Sequence, residues 1–293
     1  MMPDETSDRT RAPADTQTTP ARPQIGRAQY PWQEDARLWL FLDYDGTLAD
    51  FAPTPDFVEP DPEIAALLGR LVEDPAIRVA VVSGRRLGHV QILVPVAGVL
   101  LAGTYGIQIQ TFEGDRIDRL DHGAIRPTLE ALKPSWADLI TGRQGFFLED
   151  KDWALALHAR FAAEEEAAHV LGRARCMATE AITQTPEGLF RLLGGHKFLE
   201  LGPRLAHKGR TVEHLLDRYP WPGAVPLYLG DDDKDEEAFD FVVDRGGIAI
   251  LVATEPRDTA AAFRLGSPLE ARRWLEALAC QRRDEAWALL SGS

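Results

Sequence analysis

From residue 37 onward, short unbroken apolar runs alternate with stretches whose apolar positions recur at helical spacing. Leu38-Trp39-Leu40-Phe41-Leu42 and Arg78-Val79-Ala80-Val81-Val82 have the form of strands buried on both faces of a parallel sheet, and Val99-Leu100-Leu101-Ala102 reads as a third. Between the first two, residues 62–71 carry a helical stripe, with Asp61 as N-cap and Pro62 as first helical residue. A second helix is expected to start near Arg85. The alternation resumes at Lys208, with a helix to Tyr219, a strand Val225–Leu229, a helix Asp235–Val243, a strand Gly247–Val252 and a helix Pro268–Leu278. Repeated strand–helix–strand units imply right-handed crossovers and an α/β fold with a doubly wound parallel sheet.

The middle of the chain has a different rhythm. Residues 105–118 predict a hairpin turning at Glu113-Gly114-Asp115, and residues 127–140 a helix. Residues 146–151 and 153–159 predict paired strands around Asp152, followed by a charge-laced helix over 161–173 and short strands over 189–193 and 197–201. Consecutive hairpins flanked by helices indicate an inserted α+β unit with an antiparallel sheet, over about 109–203, within a discontinuous core of 35–108 and 204–282. Residues 1–34 are polar, proline-rich and aperiodic, a composition that predicts a disordered tail.

Composition narrows the partners. Asp and Glu number 46 against 32 Lys and Arg, a formal charge of −14, which disfavours nucleic acid and anionic membrane surfaces. No apolar run reaches the ~18 residues of a membrane span, and the first 30 residues hold no apolar signal core. Cys176 and Cys280 fit no zinc spacing and are expected to be reduced, half-buried thiols. A monomer in the cytoplasm, with a small-molecule partner, is the expectation.

The clustering of the acids brings in chemistry. Asp43-Tyr44-Asp45-Gly46-Thr47-Leu48 directly follows the first buried strand, so both carboxylates point into the crevice where doubly wound sheets bind ligands. Gly46 permits the sharp turn, whose backbone N–H groups can form an anion nest. Ser83-Gly84-Arg85 ends the second strand, offering a hydroxyl at a helix N-terminus. Lys208-Gly209 opens a helix, where a cation opposes the macrodipole and therefore needs a compensating acid or phosphate. After the strand ending at Leu229 comes Gly230-Asp231-Asp232-Asp233-Lys234-Asp235-Glu236-Glu237, a density of carboxylates that repels itself unless a cation is held. Oxygen donors without nearby His or Cys point to Mg²⁺. Each piece has a plainer reading by itself: a polar turn, a serine N-cap, a surface lysine, an acidic helix N-terminus, which is the reading kept for Glu236 and Glu237. Together they supply a nucleophile, an oxygen donor, a cation and a metal site at four strand ends of one sheet.

In this order the motifs resemble the haloacid dehalogenase (HAD) superfamily of aspartate-nucleophile phosphatases. Finer features resemble its trehalose-6-phosphate phosphatase branch: residues 41–48 and 82–85, Glu149-Asp150-Lys151 leading to His158-Ala159-Arg160, Gly230-Asp231-Asp232 with Asp235-Glu236, and residues 262–268 with Trp274-Leu275. The likeness spans about residues 37–280. It implies a HAD-like core with an inserted cap of the C2 type, and Mg²⁺-dependent hydrolysis of a sugar phosphate, trehalose 6-phosphate, to trehalose and phosphate. By the same resemblance Asp43 is the nucleophile and Asp45 the acid and base. Mg²⁺ is held by Asp43, the Asp45 carbonyl and Asp231, with Asp232 and Asp235 orienting metal waters and Lys208. Ser83, Lys208 and Thr47 bind phosphate oxygens, Gly84 and Arg85 join the substrate site, and Glu149, Lys151 and Gln108 are candidates for sugar contacts.

Two positions depart from the branch. Tyr105-Gly106-Ile107-Gln108 stands for a usual His-Gly-x-Glu, and Lys234 for a usual threonine. A glutamine still hydrogen-bonds a hydroxyl, without the charge-assisted strength of a carboxylate. Phosphatases for other sugar phosphates and a sugar phosphomutase remain alternatives, while a non-enzymatic regulatory partner of a synthase would be expected to have lost a motif acid.

Overall fold

The computed structural model describes residues 36–50 and 59–291. The tail expected over 1–34 lies outside the described residues. Among the described residues, twelve strands form two sheets. The large one runs β12(Phe263–Leu265), β11(Ile248–Val252), β10(Ala224–Gly230), β1(Arg37–Leu42), β2(Ile77–Val82), β3(Leu100–Gly103), β4(Gln108–Gln110), β5(Arg116–Asp118). Neighbours from β12 to β3 pair in parallel, whereas β3–β4 and β4–β5 are antiparallel. This is the doubly wound sheet expected, with antiparallel strands added at one edge.

The unbroken apolar runs are explained by burial on both faces. Residues Leu38 to Leu42 are all 0% exposed. Trp39 and Phe41 lie in a cluster with Val212 and Leu215 of α5(Lys208–Arg218) and with Phe239 and Val242 of α6(Glu236–Asp244). Each such side chain contributes about 1.5–3 kcal/mol by leaving water. Helices α1(Pro62–Glu73) and α7(Pro268–Ala279) pack on one another. Asp61 caps α1 through Glu63 N, as its sequence suggests, and Ser267 caps α7 through Glu270 N. Helix α2(Leu87–Leu93) starts two residues beyond the expected Arg85, because the chain first turns to pair Thr104 N with Arg85 O. The terminal α8(Arg283–Ser291) packs on α7 and β12, extending the fold past residue 282.

The hairpin expected over 105–118 forms as β4–β5, but it joins the large sheet; the change of sheet comes after Asp118, not at 109. Beyond it, the small sheet has the order β6(Phe147–Asp150), β7(Leu155–His158), β9(Phe198–Pro203), β8(Phe190–Gly195), all antiparallel. Helices α3(His122–Ile140) and α4(Glu164–Thr183) cover one of its faces through Ile125, Leu129, Trp136, Val170 and Ala174, against Leu155, Leu157, Leu199 and Leu201. Helix α3 begins before Pro127 because Asp121 caps it through Gly123 N. The period of two along the strands leaves Phe147, Glu149, His158, Phe198 and Glu200 for the opposite face.

The two chain crossings between the sheets lie side by side: Arg119 of the outgoing one donates to Thr211 Oγ1 of α5, just after the return (3.1 Å). Glu237 of α6 stitches the same corner. It pairs with Arg191 of β8 (2.6 Å), lies 3.1 Å from His207 Nδ1 and accepts from Lys208 N (3.2 Å). Both cysteines are free and exposed, not half-buried as expected. Among the described residues, no helix is long and apolar enough to cross a membrane.

Candidate active site

β1 is flanked by β2 on one side and β10 on the other, so the loops leaving their C-terminal ends diverge and open a crevice. Four strand-end and helix-start positions meet there. Asp43 follows β1, its N–H bonded to Leu229 O (2.9 Å). Ser83 follows β2 and its hydroxyl accepts from Arg85 N (3.2 Å). Lys208 opens α5, and Asp231 and Asp232 follow β10.

The lysine at the helix start has the compensation its position demands. Lys208 is 2% exposed; its ammonium donates to Asp235 Oδ1 (2.5 Å) and lies 3.1 Å from Asp43 Oδ1. Burial alone would lower its proton affinity, but Asp235 and Asp43 outweigh burial and hold it well above the usual lysine range. Burial pushes the Asp43 carboxyl well up; Lys208 opposes the rise, and Asp231, Asp232 and Asp45 add to it. Asp231 rises to about 7, by burial and then by repulsion from Asp235 and Asp232. Burial works the same way on Asp232, yet Lys208 and Lys234 overcome it and hold that carboxyl at about 2.

Asp43, Asp231 and Asp235 each offer an oxygen within 4.8 Å of the others, a set that could hold a divalent cation. The donors are all hard oxygens, and raised carboxyl pKa values are what a cation site shows without its counter-charge. Asp235 is already committed. Its Oδ1 accepts from Lys208 and from the Tyr228 hydroxyl (2.8 Å), and its Oδ2 from the N–H groups of Asp231 and Asp232 (3.1 Å each). It braces the loop and the ammonium, while Asp43 and Asp231 keep the freer oxygens.

The loop fits around Asp235 only because residue 230 has no side chain. A Cβ on Gly230 would lie 2.2 Å from Asp235 Cγ. Gly230→Ala should cost roughly 1–3 kcal/mol of stability and lower turnover as well, because Asp235 would leave Lys208. A melting temperature and turnover matching the unmodified chain would show that the brace is dispensable.

A cavity of about 570 Å³ lies over these groups, lined from the large-sheet side by Asp43, Asp45, Ser83, Gly84, Arg85, Tyr105, Lys208 and Asp232, and from the small-sheet side by Phe147, Glu149, Lys151, His158 and Phe198. Its size suits a small organic ligand. Arg85 is on this wall, but its guanidinium grips Asp45 with two bonds of 2.6 Å and reaches His89 Nδ1 at 3.1 Å. Thr47 is fully buried and donates to Asp231 Oδ1 (3.1 Å), so it supports that acid and does not line the cavity.

Gln108 is elsewhere. It lines an adjoining cleft with Arg86, His89 and Arg116. The β4–β5 register sets it opposite Asp118, whose Oδ1 accepts from its Nε2 (3.2 Å). Tyr105 is the residue of that segment that faces the cavity. Sequence reasoning also passed over Glu200, which is 1% exposed and accepts from Lys151 Nζ (2.8 Å). Glu149, Ala156 and Glu200 stand in one row across β6, β7 and β9. The available signal was a charged residue between Leu199 and Leu201 in an otherwise apolar strand. Burial raises the Glu149 carboxyl, but the His158 hydrogen bond (3.0 Å) and Lys151 outweigh it, so its pKa is lowered and it stays charged.

Comparison with known proteins places this geometry. A family model described as trehalose-phosphatase matches residues 41–268. The trehalose-phosphate phosphatase of Mycobacterium avium (strain 104) is 35% identical over 253 residues, and that of Mycobacterium leprae (strain TN) 32% over 258. The alignments cover 83% and 84% of this chain but 62% and 58% of those relatives, so the chain spans less than two thirds of their length. The trehalose-6-phosphate phosphatase of Aspergillus fumigatus superimposes with a TM-score of 0.62 at 25% identity, over 89% of this chain and 99% of that one. The C-terminal domain of the Candida albicans trehalose-6-phosphate phosphatase shares the fold, with a TM-score of 0.74 at 20% identity over 91% and 99%. With the motif residues gathered at one crevice and the family model matched across both sheets, the chain belongs to the trehalose-phosphatase family.

Proposed function

We propose that the chain is a Mg²⁺-dependent phosphatase that hydrolyses trehalose 6-phosphate to trehalose and phosphate. The observation that carries this reading is the meeting of Asp43, Asp45, Ser83, Lys208 and Asp231 at one crevice beneath the polar face of the small sheet. A carboxylate oxygen of Asp43 attacks phosphorus, and the phosphorus–sugar oxygen bond breaks with its electron pair leaving on the sugar oxygen. Asp45 donates a proton to that oxygen. A water deprotonated by Asp45 then attacks the aspartyl-phosphate, which releases phosphate and restores Asp43. Arg85 donates to both Asp45 oxygens and so fixes the carboxylate beside the crevice; it leaves one of them when Asp45 carries the proton.

Ser83 and Lys208 bind the non-bridging phosphate oxygens, where their charge and dipoles count most as the transferring group develops charge. Mg²⁺, held by Asp43, the Asp45 backbone carbonyl and Asp231, would neutralise phosphoryl charge when bound. We assign Glu149, Lys151 and Glu200 to the sugar hydroxyls, and residues 122–203 to a cap that keeps bulk water from the crevice.

The test is phosphate release from a panel of sugar phosphates, assayed with Mg²⁺ and without any sugar bisphosphate. Trehalose 6-phosphate should give the highest kcat/KM. Preference for another sugar phosphate by tenfold or more would sink the substrate assignment, and dependence on a bisphosphate activator would make the chain a phosphomutase.

A further inference from the structure

Tyr105 takes no part in the steps above, yet its placement is costly. Thr104 and Tyr105 both have left-handed backbones, with φ of 50° and 52°. Tertiary contacts hold them so: the Thr211 hydroxyl donates to Tyr105 O (2.7 Å) and Arg119 to Gly106 O (3.0 Å). Strain of about 1–3 kcal/mol per residue persists where the surroundings enforce it, and such positions cluster at ligand sites. The Tyr105 ring, 4% exposed, packs with the apolar cluster beneath the small sheet while lining the crevice cavity. Its hydroxyl sits against Gly84, where a Cβ would come within 2.7 Å of it. The hydroxyl thus stands at the cavity surface beside the Ser83-Gly84-Arg85 turn, placed to hydrogen-bond a ligand there.

Lys234 meets the same ring. Its Nζ lies 5.8 Å from the Tyr105 centroid and 4.4 Å from that of Phe198 on β9, with Asp232 Oδ2 at 3.7 Å. Cations over aromatic faces are held there electrostatically. Tyr105 and Lys234 come from the large-sheet side and Phe198 from the small sheet, and all three line the cavity they share with Asp43, Ser83 and Lys208.

We propose that Tyr105 and Lys234 are specificity-determining residues: the Tyr105 hydroxyl hydrogen-bonds a sugar hydroxyl next to the phosphate ester, and Lys234, seated on Phe198, fixes the ring and offers a second donor to the same part of the substrate. This deepens the phosphatase reading above and rests on it.

Tyr105→Phe removes one oxygen and keeps the packing ring. The readout is the ratio of kcat/KM for trehalose 6-phosphate to that for p-nitrophenyl phosphate, which carries no sugar hydroxyl. Tyr105→Phe should lower the ratio by about 10- to 100-fold. Lys234→Met should lower it by several-fold, Lys234→Arg should retain it, and the double variant should lose less than the product of the single losses because both act on one contact. Melting temperatures of the variants check the fold, and the lysine pair decides the matter if Tyr105→Phe melts early. Equal proportional losses on both substrates, or ratios within twofold of the unmodified chain, overturn the proposal. If the unmodified chain prefers another sugar phosphate, the substrate assignment falls and the same ratio is measured with the preferred one. A preference for p-nitrophenyl phosphate over every sugar phosphate overturns the proposal too.

Discussion

Asp43→Asn should reduce phosphate release by a factor on the order of 10⁴ or more, while the protein melts no earlier than the unmodified chain. The rate loss follows from chemistry: a neutral amide oxygen is a poor nucleophile, and removing the nucleophile of an interdependent catalytic set removes most of its effect. The stability expectation follows from the site. Asp43 is buried beside Asp231 and Asp232, and burial and repulsion already push its carboxyl toward the protonated form. An amide of the same shape relieves that crowding, and Lys208 keeps its bond to Asp235. Phosphate release within tenfold of normal would end the assignment of Asp43 as nucleophile. A melting point several degrees lower would mean that the Asp43–Lys208 pair holds the crevice together.

Chelation should stop turnover, and Asp231→Ala should reproduce it with a loss of at least about 100-fold at ordinary Mg²⁺ concentrations. Stability supplies an independent readout. In the metal-free protein Asp231 holds its proton up to about 7, against 3.8 for an ordinary aspartate. Between those values the folded state keeps a proton that the unfolded chain has released. This contribution is therefore full below about pH 4 and lost as pH rises through about 7. The raised carboxyls of Asp43 and Asp235 act in the same sense. Asp232, at about 2, is ionised across the whole window and does not offset them. The chelated protein should thus melt progressively lower from pH 5.5 to pH 8. Mg²⁺ should raise the melting temperature by several degrees at pH 8 and by less at pH 5.5, where it must displace the proton first. An equal shift at both pH values would place the ion away from Asp231.

How far the site could be read in advance depended on whether a residue's role is local or requires pairing. Asp43, Ser83 and Asp231 each follow a strand of seven or fewer residues and Lys208 opens a helix of eleven, so the motifs could be assigned to element ends without the fold. Glu200 could not. It joins Lys151 across the small sheet through a register that no local pattern specifies. The cleft that Gln108 faces was hidden for a related reason: the hairpin after β3 looks the same whether it extends the large sheet or begins the small one, and only the β3–β4 pairing decides it. Tyr105 was visible as an unusual residue but not as a wall of the cavity, because its left-handed backbone is imposed from Thr211, far away in the chain.

The stitching around Glu237 limits how the molecule can open. Arg191, which it holds, is on β8 at one margin of the small sheet, whereas Phe147 is on β6 at the other. The outgoing crossing, tied to Thr211 by Arg119, enters α3 beside the β6–β7 turn, where His122 Nε2 lies 3.0 Å from Asp152 Oδ1 and Arg126 binds Asp150 (2.7 Å). Asp150, Leu155, Leu201 and Leu192, the neighbour of Arg191, stand in one row, so the ties run along one set of strand ends and not along one margin. Phe147 lies three residues, about 10 Å, along β6 from that row. A tilt of about 10° about the tied ends would move it by roughly 1.7 Å and leave Arg191, and so the neighbouring Lys208, nearly in place.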